Sequence, residues 1–164
     1  MIDRLVKINQ FLNRVLLFFG GLFLVGMCAL TCANILLRTA WIPIRGTFEL
    51  MGYFGAVVAT FALSYTQMRR GHISVDILVD SFSQKTRTFL TALNHSVCAV
   101  FFSLAAWQLL EKAATLFHTG EVTETLRIVY YPFTVAVSLG CLALVLELVV
   151  TLLQMVRPDT EGQS

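Results

Sequence analysis

The sequence predicts an all-α membrane protein of four transmembrane helices, with a short amphipathic interfacial helix between the second and third. Three observations carry this. Hydrophobic residues make up 57% of the chain and charged ones 13%, about half the charged share of a soluble domain, and mean hydropathy is +0.75. Four apolar runs, 15–37, 48–68, 89–110 and 133–155, are each long enough to cross a bilayer, which takes about 20 helical residues at roughly 1.5 Å apiece. The connections between them hold from 10 to 22 residues. No soluble enzyme domain fits in them, so residues 1–164 form a single membrane domain.

Each run reads as a helix because in lipid a backbone amide must find its partner within its own segment, which a lone strand cannot provide. The first run follows Arg4, Lys7 and Arg14, as a secretory signal would, but continues for 23 residues to Arg38. Signal cores are about 7 to 15 residues long, so it reads as a retained span. The second opens with Glu49 in its first turn, where a helix N-terminus favours a negative charge. Between the second and third lies RRGHISVDILVD, residues 69–80. There Val75, Leu78, Val79 and Phe82 recur at i, i+3, i+4 and i+7 and predict a helix over about 74–83 with one apolar stripe. Gly71 marks the break after the second span, Ser74 is placed as N-cap, and Asp76 falls in the first turn. Arg69 and Arg70 meet lipid phosphates and hold this helix flat. His72 and Asp76 are expected as local hydrogen-bonding partners, and Val79 lies on the apolar stripe.

Lysine and arginine set the orientation, since they concentrate in cytoplasmic connections. The N-terminus carries three, the second connection four and the C-terminus one, against two in each of the other connections. Eight against four predicts cytoplasmic termini. Trp41, Tyr53, Trp107, Tyr130 and Tyr131 then lie near the outer face, compatible with an aromatic belt. With a net charge of +2 spent flanking spans, no nucleic-acid partner is expected; membrane lipids are.

No catalytic, cofactor or metal site is expected. Cys28, Cys32, Cys98 and Cys141 all fall in spans, and two thiols one turn apart, without further ligands, make a poor metal site. The alternative is a haem- or quinone-associated membrane anchor of a respiratory complex. It needs two histidines at one depth on facing helices, whereas His95 lies in the third span, His72 in a connection and His118 beyond the outer end. His95 reads instead as a histidine hydrogen-bonded at a helix interface. A transporter acting alone is expected to show interrupted helices and several polar groups at mid-depth. Here Pro43, Pro132 and Pro158 lie outside spans or at their ends, and Glu147 is the one acid clearly inside. The spans therefore read as scaffold. Gly20, Gly21, Gly26, Gly52 and Gly55 read as flat surfaces for close helix contact.

A basic N-terminus, a span ending in NILLR, then GTFELMGYFGAVVATFALSYTQMRRGHISVDILVD, and YYPFTVAVSLG opening the last span resemble, over nearly the whole chain, the small membrane subunit of TRAP (tripartite ATP-independent periplasmic) transporters, the DctQ-like family. Glu49 and Tyr53, four apart, then Arg69, Gly71, His72 and Asp76, and finally Pro132 and Gly140, carry the resemblance. It implies residence in the bacterial inner membrane and two partners, a large membrane subunit with the substrate and sodium sites and a periplasmic solute-binding protein. It further implies sodium-driven uptake of an organic acid, with this chain as a scaffold against the large subunit.

Overall fold

The computed structural model describes residues 2–40, 42, 44–69 and 84–156. They form four helices: α1 (Ile2–Thr39), α2 (Thr47–Met68), α3 (Gln84–Thr119) and α4 (Tyr131–Val156). All four are long and apolar enough to cross a membrane. The expected interfacial helix over 74–83, with Gly71, His72, Asp76 and Val79, lies outside the described residues.

Helix lengths divide the elements into two kinds. At about 1.5 Å per residue, α2 with 22 residues and α4 with 26 span roughly 33 and 39 Å, near the roughly 30 Å of a hydrocarbon core. In contrast α1 with 38 residues and α3 with 36 reach some 55 Å. The long pair flanks the short pair: α1 packs on α2, α2 on α4, and α3 on α4. Helix α4 is therefore the hub, the most enclosed of the four. The N-terminus of α1 and the C-terminus of α4 share one end of the bundle, the terminal end. The α1–α2 and α3–α4 connections form the loop end.

The core gathers Leu16, Val57, Phe61 and Ala143, with Phe23, Phe133, Ala136 and Val137 against it. Phe61 is its wedge. A Cβ built on Gly20 of α1 would lie 3.3 Å from Phe61 Cβ, and one on Gly140 of α4 would lie 3.0 Å from Phe61 Cδ1 and 2.8 Å from both Cβ and Oγ1 of Thr60. Glycine lets backbones approach this closely. Of the five glycines read as contact surfaces, Gly20 fits that reading and Gly26 makes an ordinary contact with Phe54, while Gly21, Gly52 and Gly55 meet nothing within 4 Å. Small size permits close contact but does not place a neighbour there. Helix α3 is fastened to α4 where Ser138 Oγ donates to the Ala106 carbonyl at 3.1 Å, both residues fully buried. It ends at Gly120, whose φ of 63° is the left-handed stop that glycine adopts without strain.

Candidate functional site

Two polar clusters stand at opposite ends of the bundle. At the loop end the α3–α4 connection folds back on itself, with an antiparallel bridge between Val122 and Val129 and Thr123 N–H donating to the Ile128 carbonyl at 3.0 Å. The Thr123 hydroxyl accepts the Ile128 amide at 3.1 Å, and Arg127 takes a positive φ of 51°. The tip of this turn leaves two amides pointing at α2. Thr125 N–H donates to Glu49 Oε1 at 2.8 Å and Leu126 N–H to Oε2 at 3.4 Å. Glu49 thus sits in the first turn of α2, where a helix favours its charge, and clamps the connection 76 residues on.

Four residues along, on the same face of α2, Tyr53 completes the clamp. Its ring stacks on Tyr130 with centroids 5.8 Å apart and on Phe133 at 5.3 Å, both within 18° of parallel. Pro132 explains why Tyr130 and Phe133 arrive there. It occupies the first turn of α4, where its fixed φ suits the helix and its missing N–H costs nothing. Leu126 fills the space over Gly46, whose φ is 75° and whose absent Cβ would fall 2.3 Å from Leu126 Cγ. The first connection is held similarly, since Ile44 N–H donates to Asn34 Oδ1, in NILLR, at 3.0 Å. Tyr130 lies outside the spans, and its phenol is held above the ordinary tyrosine range by desolvation and then by a hydrogen bond to Glu121. It stays protonated and able to donate. Between Glu49, Tyr53, Thr123, Leu126 and Phe133 there is no room for a small molecule, while a shallow apolar cleft of about 190 Å³ opens beside Tyr53 and Phe133, toward Leu109 and Val137.

The second cluster, at the terminal end, runs through α1, α2 and α4. Ser64 Oγ donates to Asn13 Oδ1 at 2.6 Å, Asn13 Nδ2 donates to Asn9 Oδ1 at 3.2 Å, and Asn9 Nδ2 donates to Glu147 Oε2. All four residues are buried, Asn13 and Ser64 completely. Each donor points along the chain toward the carboxylate, an arrangement that stabilises a partly desolvated acid. One turn beyond Ser64, Gln67 Nε2 meets His95 Nε2 at 3.0 Å, and His95 Nδ1 meets the Thr91 carbonyl at 2.7 Å. A carbonyl only accepts, so the ring proton is on Nδ1 and Gln67 donates to Nε2. His95 is therefore the interface histidine expected from sequence. The two arrays tie all four helices together at one depth.

Of the residues singled out in the sequence, Glu49, Tyr53 and Pro132 converge in the loop-end clamp. Arg69 stands apart at the end of α2, exposed, its Nε donating to the Tyr65 hydroxyl at 3.1 Å and its guanidinium 5.5 Å from that ring's centroid. Gly71, His72, Asp76 and Val79 are outside the described residues. Sequence reasoning missed Asn9, Asn13, Ser64 and Gln67. The available signal was the i, i+4 pair of asparagines just before an apolar run. No group of three or more histidine, cysteine, aspartate or glutamate side chains comes together among the described residues.

Compared with known families, residues 27–158 match the model described as "Tripartite ATP-independent periplasmic transporters, DctQ component". No curated protein and no solved structure matches. The matched stretch holds the whole loop-end clamp together with Ser64, Gln67, His95 and Glu147. Asn9 and Asn13 lie before it.

Proposed function

We propose a scaffold role for this chain, which belongs to the DctQ family, the small membrane subunits of TRAP transporters. Proteins of this family work with a large membrane subunit and a periplasmic binding protein. In our reading the large subunit carries the substrate and sodium sites and moves. This chain stays rigid beside its static part, in the bacterial inner membrane with both termini in the cytoplasm. The complex takes up an organic acid, captured by the binding protein, at the expense of a sodium gradient.

The observation that carries this reading is the continuity of the four helices. Secondary transporters build their sites from interrupted helices whose free ends face the substrate at mid-depth, and α1 to α4 each run without a break. The one buried carboxylate among the described residues, Glu147, is held by the asparagine chain. The same geometry favours a scaffold over a haem anchor, because both ring nitrogens of His95 are already engaged. With cytoplasmic termini, the Glu49–Tyr53 clamp presents its rim to the periplasm, where the binding protein docks on the large subunit. Arg69 and the 74–83 segment, with His72, Asp76 and Val79, then lie at the cytoplasmic surface and orient α2 and α3 against the large subunit.

Affinity purification of this chain from cells making the whole system tests the pairing. The large subunit should be recovered in a one-to-one complex that survives gel filtration. Recovery of the small chain alone, from membranes that contain both, would sink the scaffold reading.

A further inference from the structure

We infer that the outward face of α3 is the seam on which a transmembrane helix of the large subunit docks; the identity of that partner rests on the function proposed above. The inner face of α3, with Ala106, Ala113 and Leu116, is buried and is committed to α4 through Ser138. On the other side Asn94, Val97, Phe101, Leu104, Gln108 and Glu111 follow one another at steps of three and four. That is the a/d spacing of a helix built to meet another helix. All six are exposed, Val97, Phe101 and Leu104 by 59 to 64%.

Exposed apolar surface alone does not tell lipid from protein. Within its apolar run, α1 exposes Phe18, Leu22, Val25 and Leu36, and every exposed residue there is apolar or cysteine. That face suits acyl chains. The α3 face differs by its two carboxamides, two heptads apart. Gln108 has no hydrogen-bond partner among the described residues. Among the same residues Asn94 has only the thiol of Cys98, 3.8 Å from its oxygen, and its NH₂ is unengaged.

Depth makes Gln108 decisive. The Gln67–His95 bond puts His95 level with the last turn of α2, and the Phe117–Tyr131 ring contact at 5.3 Å puts Phe117 level with the start of α4. The 22 residues between them cover about 33 Å, close to the roughly 30 Å hydrocarbon thickness. Gln108 then lies about 20 Å from one edge and about 13 Å from the other; these packing contacts set the third span later than the 89–110 read from hydropathy and draw Trp107 inward from the outer face where the sequence placed it. A primary amide there needs a protein partner, because lipid tails offer nothing to accept its hydrogens. The occupant is thus an apolar helix with a hydrogen-bonding group, or a small residue exposing its backbone, opposite Gln108.

The test uses the complex isolated from cells, with a photo-crosslinking phenylalanine analogue placed singly at Phe101, Leu104, Leu22 or Val25. Phe101 and Leu104 should capture the large subunit, and Leu22 and Val25 should not. Co-purification is scored in the same samples. Capture from α1 but not α3, or adducts from α3 with lipid or a second copy of this chain while the large subunit co-purifies, overturns the seam and leaves the partnership standing. Absence of the large subunit from every sample overturns both. A second variant, Gln108→Leu, makes the surface better suited to lipid. It should leave the isolated chain folded yet lower recovery of the large subunit by about three- to tenfold, the range of one inter-helix hydrogen bond in a membrane. Unchanged recovery overturns the role of the amide.

Discussion

Gly140→Leu is expected to abolish most of the folded protein recovered from membranes, with Gly140→Ala intermediate. A Cβ at this position already falls 2.8 Å from Thr60 and 3.0 Å from Phe61, and neither neighbour has room to retreat. The Thr60 hydroxyl is held to the Ala56 and Val57 carbonyls at 2.9 and 3.1 Å. Phe61 has Gly20 at its back. Overpacking a site of this kind costs about 1–3 kcal/mol even for small insertions, and leucine adds three further carbons to the alanine methyl. Thermal unfolding of the detergent-purified chain measures it, with a loss of order 10 °C for whatever Gly140→Leu protein survives. The control is Gly55→Leu, at a glycine with nothing within 4 Å. If Gly140→Leu melts with the unaltered protein, the close α2–α4 contact is wrong.

Asn13→Leu carries the second-largest expected effect. Leucine matches asparagine in size but supplies neither the oxygen that Ser64 donates to nor the NH₂ that Asn9 accepts from. Each buried group left unpaired costs about 1–3 kcal/mol. The single variant should therefore be markedly less stable, whereas adding Ser64→Ala, which removes one of the stranded groups, should restore part of the loss. Asn9 and Glu147 remain throughout, so adding the Ser64→Ala single variant closes a cycle whose coupling term isolates the Ser64–Asn13 bond. Equal stability of Asn13→Leu and the unaltered chain would show that the asparagine chain does not hold α1 against α2.

Much of this architecture was legible because the membrane makes hydrophobic length decisive. A run such as 133–155 has few alternatives to a helix. The clamp was half legible: Glu49, Tyr53 and Pro132 stood out as motif residues through the resemblance, and the structure gathers Glu49 and Tyr53 at the loop end. What Glu49 holds depended on a turn at Val122–Val129 that composition presents as mere connection. The polar chain at the terminal end was hidden for another reason. Asn9 and Asn13 precede the apolar run, in a stretch that reads as a solvated basic N-terminus, and their partner Glu147 is 138 residues away from Asn9. Only the continuation of α1 back to Ile2 brings them inside. Glycines misled in the opposite sense, since a missing side chain says nothing about which helix comes near.

The central claim, a scaffold that supports transport performed by its partner, is tested most directly by reconstitution. Proteoliposomes are made with the large subunit, with this chain, or with both. Each is given an inward sodium gradient, the purified binding protein, and the radiolabelled form of whichever solute that protein retains on purification. Sodium-dependent accumulation should appear only with both membrane chains present. Accumulation by this chain alone, or by the large subunit at full rate without it, would contradict the account.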